Sequence, residues 1–178
     1  MDLLKKITII TALLISSVTT AQIYEVGYIT GKSNFIGDVG ETTFINPIND
    51  DWINGISLKW NRSPRHSYKM TIINTSLSAN DFNSKDPRRI ERGYNFKTPL
   101  TEISLGLEFN MLEFNLHEYS NLFSPYFYTG VIHSKYDKQI LQNGNINRIS
   151  KKNTTLGIPL VVGIKYRFFE NFIISFEA

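Results

Sequence analysis

The chain has 178 residues, a formal net charge of +3 and no cysteine. That length suits one domain with a sizeable core, and the lack of cysteine excludes disulfides, thiolate catalysis and thiolate metal sites. A nearly balanced charge offers none of the concentrated Lys and Arg stripes of a nucleic-acid protein, so no nucleic-acid partner is expected.

Residues 1–21, MDLLKKITIITALLISSVTTA, read as a secretory signal peptide. Lys5 and Lys6 form a cationic start, Ile7 to Val18 an apolar run, and Thr19-Thr20-Ala21 a small-residue cleavage site. The run is about 12 residues where a spanning helix takes roughly 20, which favours a cleaved leader over a retained anchor. No cysteine follows the site to carry a lipid, and loss of Asp2, Lys5 and Lys6 leaves +2 on residues 22–178.

Beyond the leader the chain reads as strands separated by segments rich in Asn, Ser, Asp and Gly, with no internal repeat and no convincing amphipathic helix. In order, the expected strands cover 22–30 (QIYEVGYIT), 52–61 (WINGISLKWN), 66–76 (HSYKMTIINTS) and 101 to about 114, which opens TEISLGLEFN. Then come 125–134 (PYFYTGVIHS), 154–168 (TTLGIPLVVGIKYRF) and a last strand from Asn171 (NFIISFEA). In TEISLGLEFN, Ile103, Leu105, Leu107 and Phe109 fall on one face and Glu102, Ser104, Gly106, Glu108 and Asn110 on the other. Period two does not say which face looks inward: oil inward is a soluble barrel, oil outward a membrane barrel.

Connection lengths supply direction. Segments 31–51, 77–99 and 135–153 are long, 62–65 and 169–170 short, and 115–124 intermediate. Up-and-down connection gathers the long ones at one end, the asymmetry of outer-membrane barrels with their short periplasmic turns and longer extracellular loops. Trp52 and Trp60 share a face eight residues apart, roughly 20 Å in depth on a tilted strand, which suits two aromatic girdles; Tyr166 and Phe168 are further girdle candidates. Lys59, Lys69, Glu102, Glu108, Lys165 and Arg167 fall on the other face, where they would pair across a narrow lumen filled by side chains. The expected fold is therefore all-β: a small up-and-down antiparallel outer-membrane β-barrel over 22–178. Asn54 and Asn74 resist, since strict alternation puts them on the oily face, where they call for an interfacial position or a bulge. Pro159 cannot donate a ladder hydrogen bond, so a break is expected there.

No enzyme chemistry stands out. Glu102 and Glu108 are about 20 Å apart along a strand, too far for a glycosidase pair. His66, His117 and His133 are scattered and make no metal-ligand spacing. A serine–histidine pair formed across strands is the enzymatic alternative. GDVGE (37–41) resembles a phosphate loop but precedes no helix, so a glycine turn is expected. The run KDPRRIERG (85–93) and the group Lys135, Lys138, Arg148, Lys151 and Lys152 read as solvated loop charge. No cofactor is expected.

Several segments carry a resemblance: EVGYITGKSNFIGDVG (25–40), KWNRSPRHSYK (59–69), RGYNF (92–96), LTEISLGLEFNMLEFNLHEYSNLFSPYFYTG (100–130) and TLGIPLVVGIKYRF (155–168). In this order they resemble the PorG family, an outer-membrane barrel component of the type IX protein secretion system. The resemblance implies an eight-stranded barrel without enzymatic activity, in contact on its periplasmic side with a PorK–PorN type lipoprotein ring and the translocon. On parity the turn holding Arg62, Pro64 and Arg65 faces the periplasm and is the candidate partner contact.

Only seven strands are countable, whereas single-chain bacterial barrels have even numbers. An eighth strand beyond Ala178 is expected. The alternatives are another small surface barrel of adhesin or resistance type, and a soluble lipocalin-like barrel.

Overall fold

The computed structural model describes residues 24–43, 51–115, 122–142, 145–169 and 172–178; the signal peptide expected over 1–21 lies outside the described residues. Eight strands form one antiparallel sheet: β1 (Tyr24–Lys32), β2 (Trp52–Asn61), β3 (His66–Asn80), β4 (Asn95–Asn110), β5 (Phe123–Gln142), β6 (Asn145–Gly157), β7 (Leu160–Phe169) and β8 (Phe172–Glu177). Between β3 and β4 lie a 3-10 turn, Asp81–Asn83, and a one-and-a-half-turn helix α1, Pro87–Arg92. The strands pair in the order β1-β2-β3-β4-β5-β7-β8, with β6 paired to β5 alone, and the meander curls into a half-barrel.

β6 and β7 are two lengths of one expected strand. β7 pairs with β5 over Phe123–Thr129 and β6 over Ile132–Gln142, and the gap between them falls at Ile158 and Pro159. Proline has no N–H to give the ladder, so the break expected there is present. Segment 135–153, expected as a loop, is instead a ladder that runs to Gln142↔Asn145 with one irregularity between Asp137 and Gln139. β3 also outruns its expected end by reaching Asn80, β4 starts earlier at Asn95, and β4 stops at Asn110 rather than near Phe114.

Alternation holds along β1, β2, β4, β7 and the first residues of β3, and the apolar side faces out. Ile103, Leu105, Leu107 and Phe109 are exposed while Glu108 is fully buried. Val26, Leu58, Leu160 and Phe176 join the same outer surface. The few buried apolar side chains are outnumbered by buried polar ones, the reverse of the usual interior. Asn54 and Asn74 lie opposite each other on this outer face, and the β2–β3 register is unbroken, so no bulge displaces them. They belong to a lateral polar row, Thr30–Asn54–Asn74–Thr101–Lys135, that crosses four ladders. Tyr28 Oη donates to Asn54 Oδ1 at 2.6 Å and Thr101 Oγ1 to Asn74 Oδ1 at 2.9 Å. The row marks the upper edge of the apolar belt.

Two strands approach closely at one glycine pair. Gly106 and Gly130 face each other across β4 and β5. A Cβ at Gly130 would stand 2.2 Å from the Leu105 carbonyl oxygen, and one at Gly106 2.1 Å from that of Thr129. Backbone, unlike a side-chain tip, cannot swing away, so these positions exist to let the sheet bend. Gly130→Ala is expected to lower stability by about 1–3 kcal/mol, whereas Gly31→Ala, with nothing within 4 Å, should stay within about 0.5 kcal/mol. Urea unfolding, followed by tryptophan fluorescence, makes the comparison.

Candidate functional site

The interior is built by the inward half of each strand's alternation, and charges from six strands meet there. Glu108 on β4 accepts from Lys59 Nζ of β2 at 2.8 Å and from Lys165 Nζ of β7 at 2.7 Å, with Lys69 Nζ of β3 at 3.8 Å. Lys59 also pairs with Glu25 of β1 at 3.4 Å, and Lys69 with Glu177 of β8. Tyr126 Oη donates to Glu177 at 2.6 Å, and its ring lies 5.3–5.9 Å from all three ammonium groups. Beside it Thr71, Ser104 and Tyr128 form a buried hydroxyl chain with 2.6 and 2.7 Å steps. Charge thus closes pair by pair: Lys59, Lys69 and Lys165 against Glu25, Glu108 and Glu177.

All six charges read as inward from the sequence do face inward, but they divide. Lys59, Lys69, Glu108 and Lys165 form the cluster. Arg167 lies lower, against the ring of Phe114 at 5.1 Å, and donates to the Asn115 carbonyl. Glu102 lies higher, half-buried, and accepts from Ser134 Oγ at 2.6 Å. Glu25 and Glu177 were not singled out by the sequence reading. Parity alone would have found Glu25, two residues from Gly27 on the inward side of β1.

The short-turn end is strapped shut. Pro64's carbonyl accepts from the Phe114 amide at 3.0 Å and from Asn110 Nδ2 at 2.9 Å, and Arg65's carbonyl from the Asn110 amide at 2.8 Å. These bonds fold residues 111–115 beneath the interior, where Phe114 is buried below Lys165 at 4.9 Å. Of the candidate partner contacts, Arg65 is already engaged, with Nε 3.3 Å from Glu113 and Nη1 3.2 Å from the Met111 carbonyl. Arg62 and Pro64 are exposed. The girdle candidates lie on the outer face: Trp60 stacks on Tyr68 at 5.4 Å, Tyr166 and Phe168 are exposed near the same end, and Trp52 stands near the other end, 5.8 Å from Lys32 Nζ.

At the long-loop end the run 85–93 is neither irregular nor merely solvated. Asp86 caps α1 by accepting from the Arg88 amide, Pro87 opens it, and Gly93 closes it at φ 64°. The helix aims Arg89 and Arg92 at the segment after β1. Arg89 Nη1 donates to the carbonyls of Gly37 and Gly40 at 3.2 and 2.7 Å, and Arg92 spans Asp81 at 2.9 Å and Asp38 at 3.2 Å. GDVGE is a glycine turn, as expected, with Gly40 at φ 84° donating its amide to Asp81 at 2.8 Å. Burial alone would raise the Asp81 carboxyl, but Arg92 and the amides of Gly40 and Tyr94 hold it below its ordinary value. A depressed value means that this latch contributes fully above the usual carboxylate range and is lost as pH falls through the folded value. Lys135 and Lys152 are exposed; the side chains of Lys138, Arg148 and Lys151, and His117, lie outside the described residues. Among the described residues no His, Asp or Glu group is arranged to hold a metal.

Chemically the interior neutralises buried charge and fixes strands against one another. Glu108→Gln would leave buried lysines without their shared anion and should cost about 3–5 kcal/mol. Adding Lys165→Met should return part of that loss, with a coupling of about 1–3 kcal/mol in a double-mutant cycle. Strictly additive losses, read from urea unfolding, would show that Glu108 is no shared partner.

No curated protein and no solved structure matches the chain. One family model, described as Domain of unknown function (DUF6089), matches residues 4–178. The match takes in the charged interior and every strand through β8, and the chain belongs to the DUF6089 family.

Proposed function

We propose that this protein is a β-barrel of the outer membrane, exported through a cleaved signal peptide, and that it serves as a non-enzymatic part of the type IX secretion apparatus. The observation that carries the membrane half is the inversion of the sheet. Its outer face is a belt of exposed Val, Leu, Ile and Phe, and its interior a closed set of ion pairs. A belt of this kind in water would lose the burial that makes apolar side chains favourable to folding; in lipid it is the ordinary barrel exterior. The long-loop end is then outside and the turn 62–65 periplasmic. The secretion half rests on the resemblance to the PorG family, which supplies the partners: outer-membrane lipids around the belt, and a PorK–PorN type lipoprotein ring with the translocon below it.

Leu105→Arg places a charge within the belt, where it should cost roughly 2–4 kcal/mol on insertion. Thr42→Arg alters an exposed residue after β1 and should be neutral. Equal outer-membrane abundance of the two variants, or extraction of the wild type without detergent, would sink the membrane reading.

The docking turn has its own test. Arg62 is exposed and, among the described residues, shows no side-chain partner, so it can present a planar donor to a partner carboxylate, while Arg65 is shared with Glu113 at its own rim. Arg62→Ala with Arg65→Ala should leave the protein inserted, since exposed charges contribute little to stability, yet reduce co-purification of the lipoprotein ring. Undiminished recovery of the ring would exclude this turn. Complete absence of the ring from wild-type preparations would favour a surface barrel working through its long-loop end, a reading that the ordered Arg92–Asp81 latch supports.

A further inference from the structure

Above the polar row, the inward faces of β3, β4, β5 and β6 and the segment after β1 surround a pocket of about 520 Å³. That volume is in the range of small-molecule sites, which are mostly apolar with a few placed polar groups. Its walls carry the rings of Phe35, Tyr94, Phe96 and Tyr136, and its charged groups are Glu102 and Asp137. Among the described residues no lysine or arginine lines it. This composition differs sharply from the lower interior, where every carboxylate of the cluster is matched by an ammonium group.

We propose that the pocket binds an organic cation: a protonated or quaternary amine on an aromatic or short alkyl body. Three features select this class. Aromatic rings offer negative faces to a cation; Phe96 is set edge-on to Phe35 at 5.0 Å and 89°, so these rings present different aspects to the space between them. Glu102 accepts from Ser134 through Oε1 alone, and among the described residues neither it nor Asp137 forms an ion pair. Acid groups set among apolar walls favour a ligand that brings the missing positive charge. Arg92 covers Tyr94 at 4.7 Å from outside but is committed to Asp81 and Asp38, and it is not part of the lining. Two of the walls, Phe35 and Val39, belong to the segment that Arg89 and Arg92 latch in place, so the pocket is complete only with the latch closed.

The full chain in lipid nanodiscs can be titrated calorimetrically with tryptamine, with its anionic counterpart indole-3-acetate and with neutral 3-methylindole, subtracting empty nanodiscs. Tryptamine should bind saturably at one site, 3-methylindole more weakly and indole-3-acetate not at all. Glu102→Gln should weaken tryptamine about tenfold, the loss of one charge-assisted partner, and Val39→Trp, which fills the space from the loop side, should abolish it. If either variant fails to fold, the three-probe comparison on the wild type still decides. Tryptamine that does not bind at millimolar concentration, equal affinity for all three probes, or unchanged affinity in both variants would each overturn the proposal.

Discussion

Everything in the lower half of this protein follows from one carboxylate with no access to water. Glu108 is fully buried and binds lysines that come from strands on either side of it. Removing such charges from water is costly, and the cost is recovered only where geometry is good and each charge finds its opposite. Lys59 and Lys165 can both reach Glu108 only if the sheet curls, and Lys69 can meet Glu177 only if β8 has come round to face β3. The ion pairs therefore specify the curvature that the Gly106–Gly130 contact permits. They also fill the lower interior, so the apolar side chains of these strands lie on the outside.

Much of this was legible because alternation is a local property. Ile103 to Phe109 on one side and Glu102 and Glu108 on the other could be assigned from ten residues, and the inward set Lys59, Lys69, Lys165 and Arg167 followed the same count. What parity could not give was partnership. Glu102 and Glu108 share a face, yet one joins the lysine cluster and the other the pocket above it, because their different depths place them in chambers of different composition. Arg65 reads from sequence as part of a candidate partner contact, but residues 111–115 fold back onto that turn and engage it through contacts no short window reveals.

The misread segments share a physical cause. Residues 135–153 are paired strand that extends beyond the apolar belt, and their sequence, rich in Lys, Asn and Gln, carries no clean period-two signal. Asn54 and Asn74 mark the same boundary from below. At 85–93 the signal was present and was missed: Asp86, Pro87 and Gly93 are a cap, a first-turn proline and a C-terminal glycine in the expected order. Its function, presenting Arg89 and Arg92 to the segment after β1, depends on tertiary contacts and could not be read from the run itself.

The interruption at Ile158 and Pro159 has a kinetic meaning. It divides the partnership of β5 into two ladders with different closure costs. The β5–β6 ladder is a hairpin whose ends are neighbours in sequence, so it zips locally and on the microsecond scale typical of hairpins. The β5–β7 ladder must first bring together residues separated by that entire hairpin, a closure with a larger entropic demand. Proline at the junction stops the first zipper from dictating the register of the second. The upper hairpin is thereby free to form early as an independent unit, while the register of the lower ladder is set where Lys165 finds Glu108.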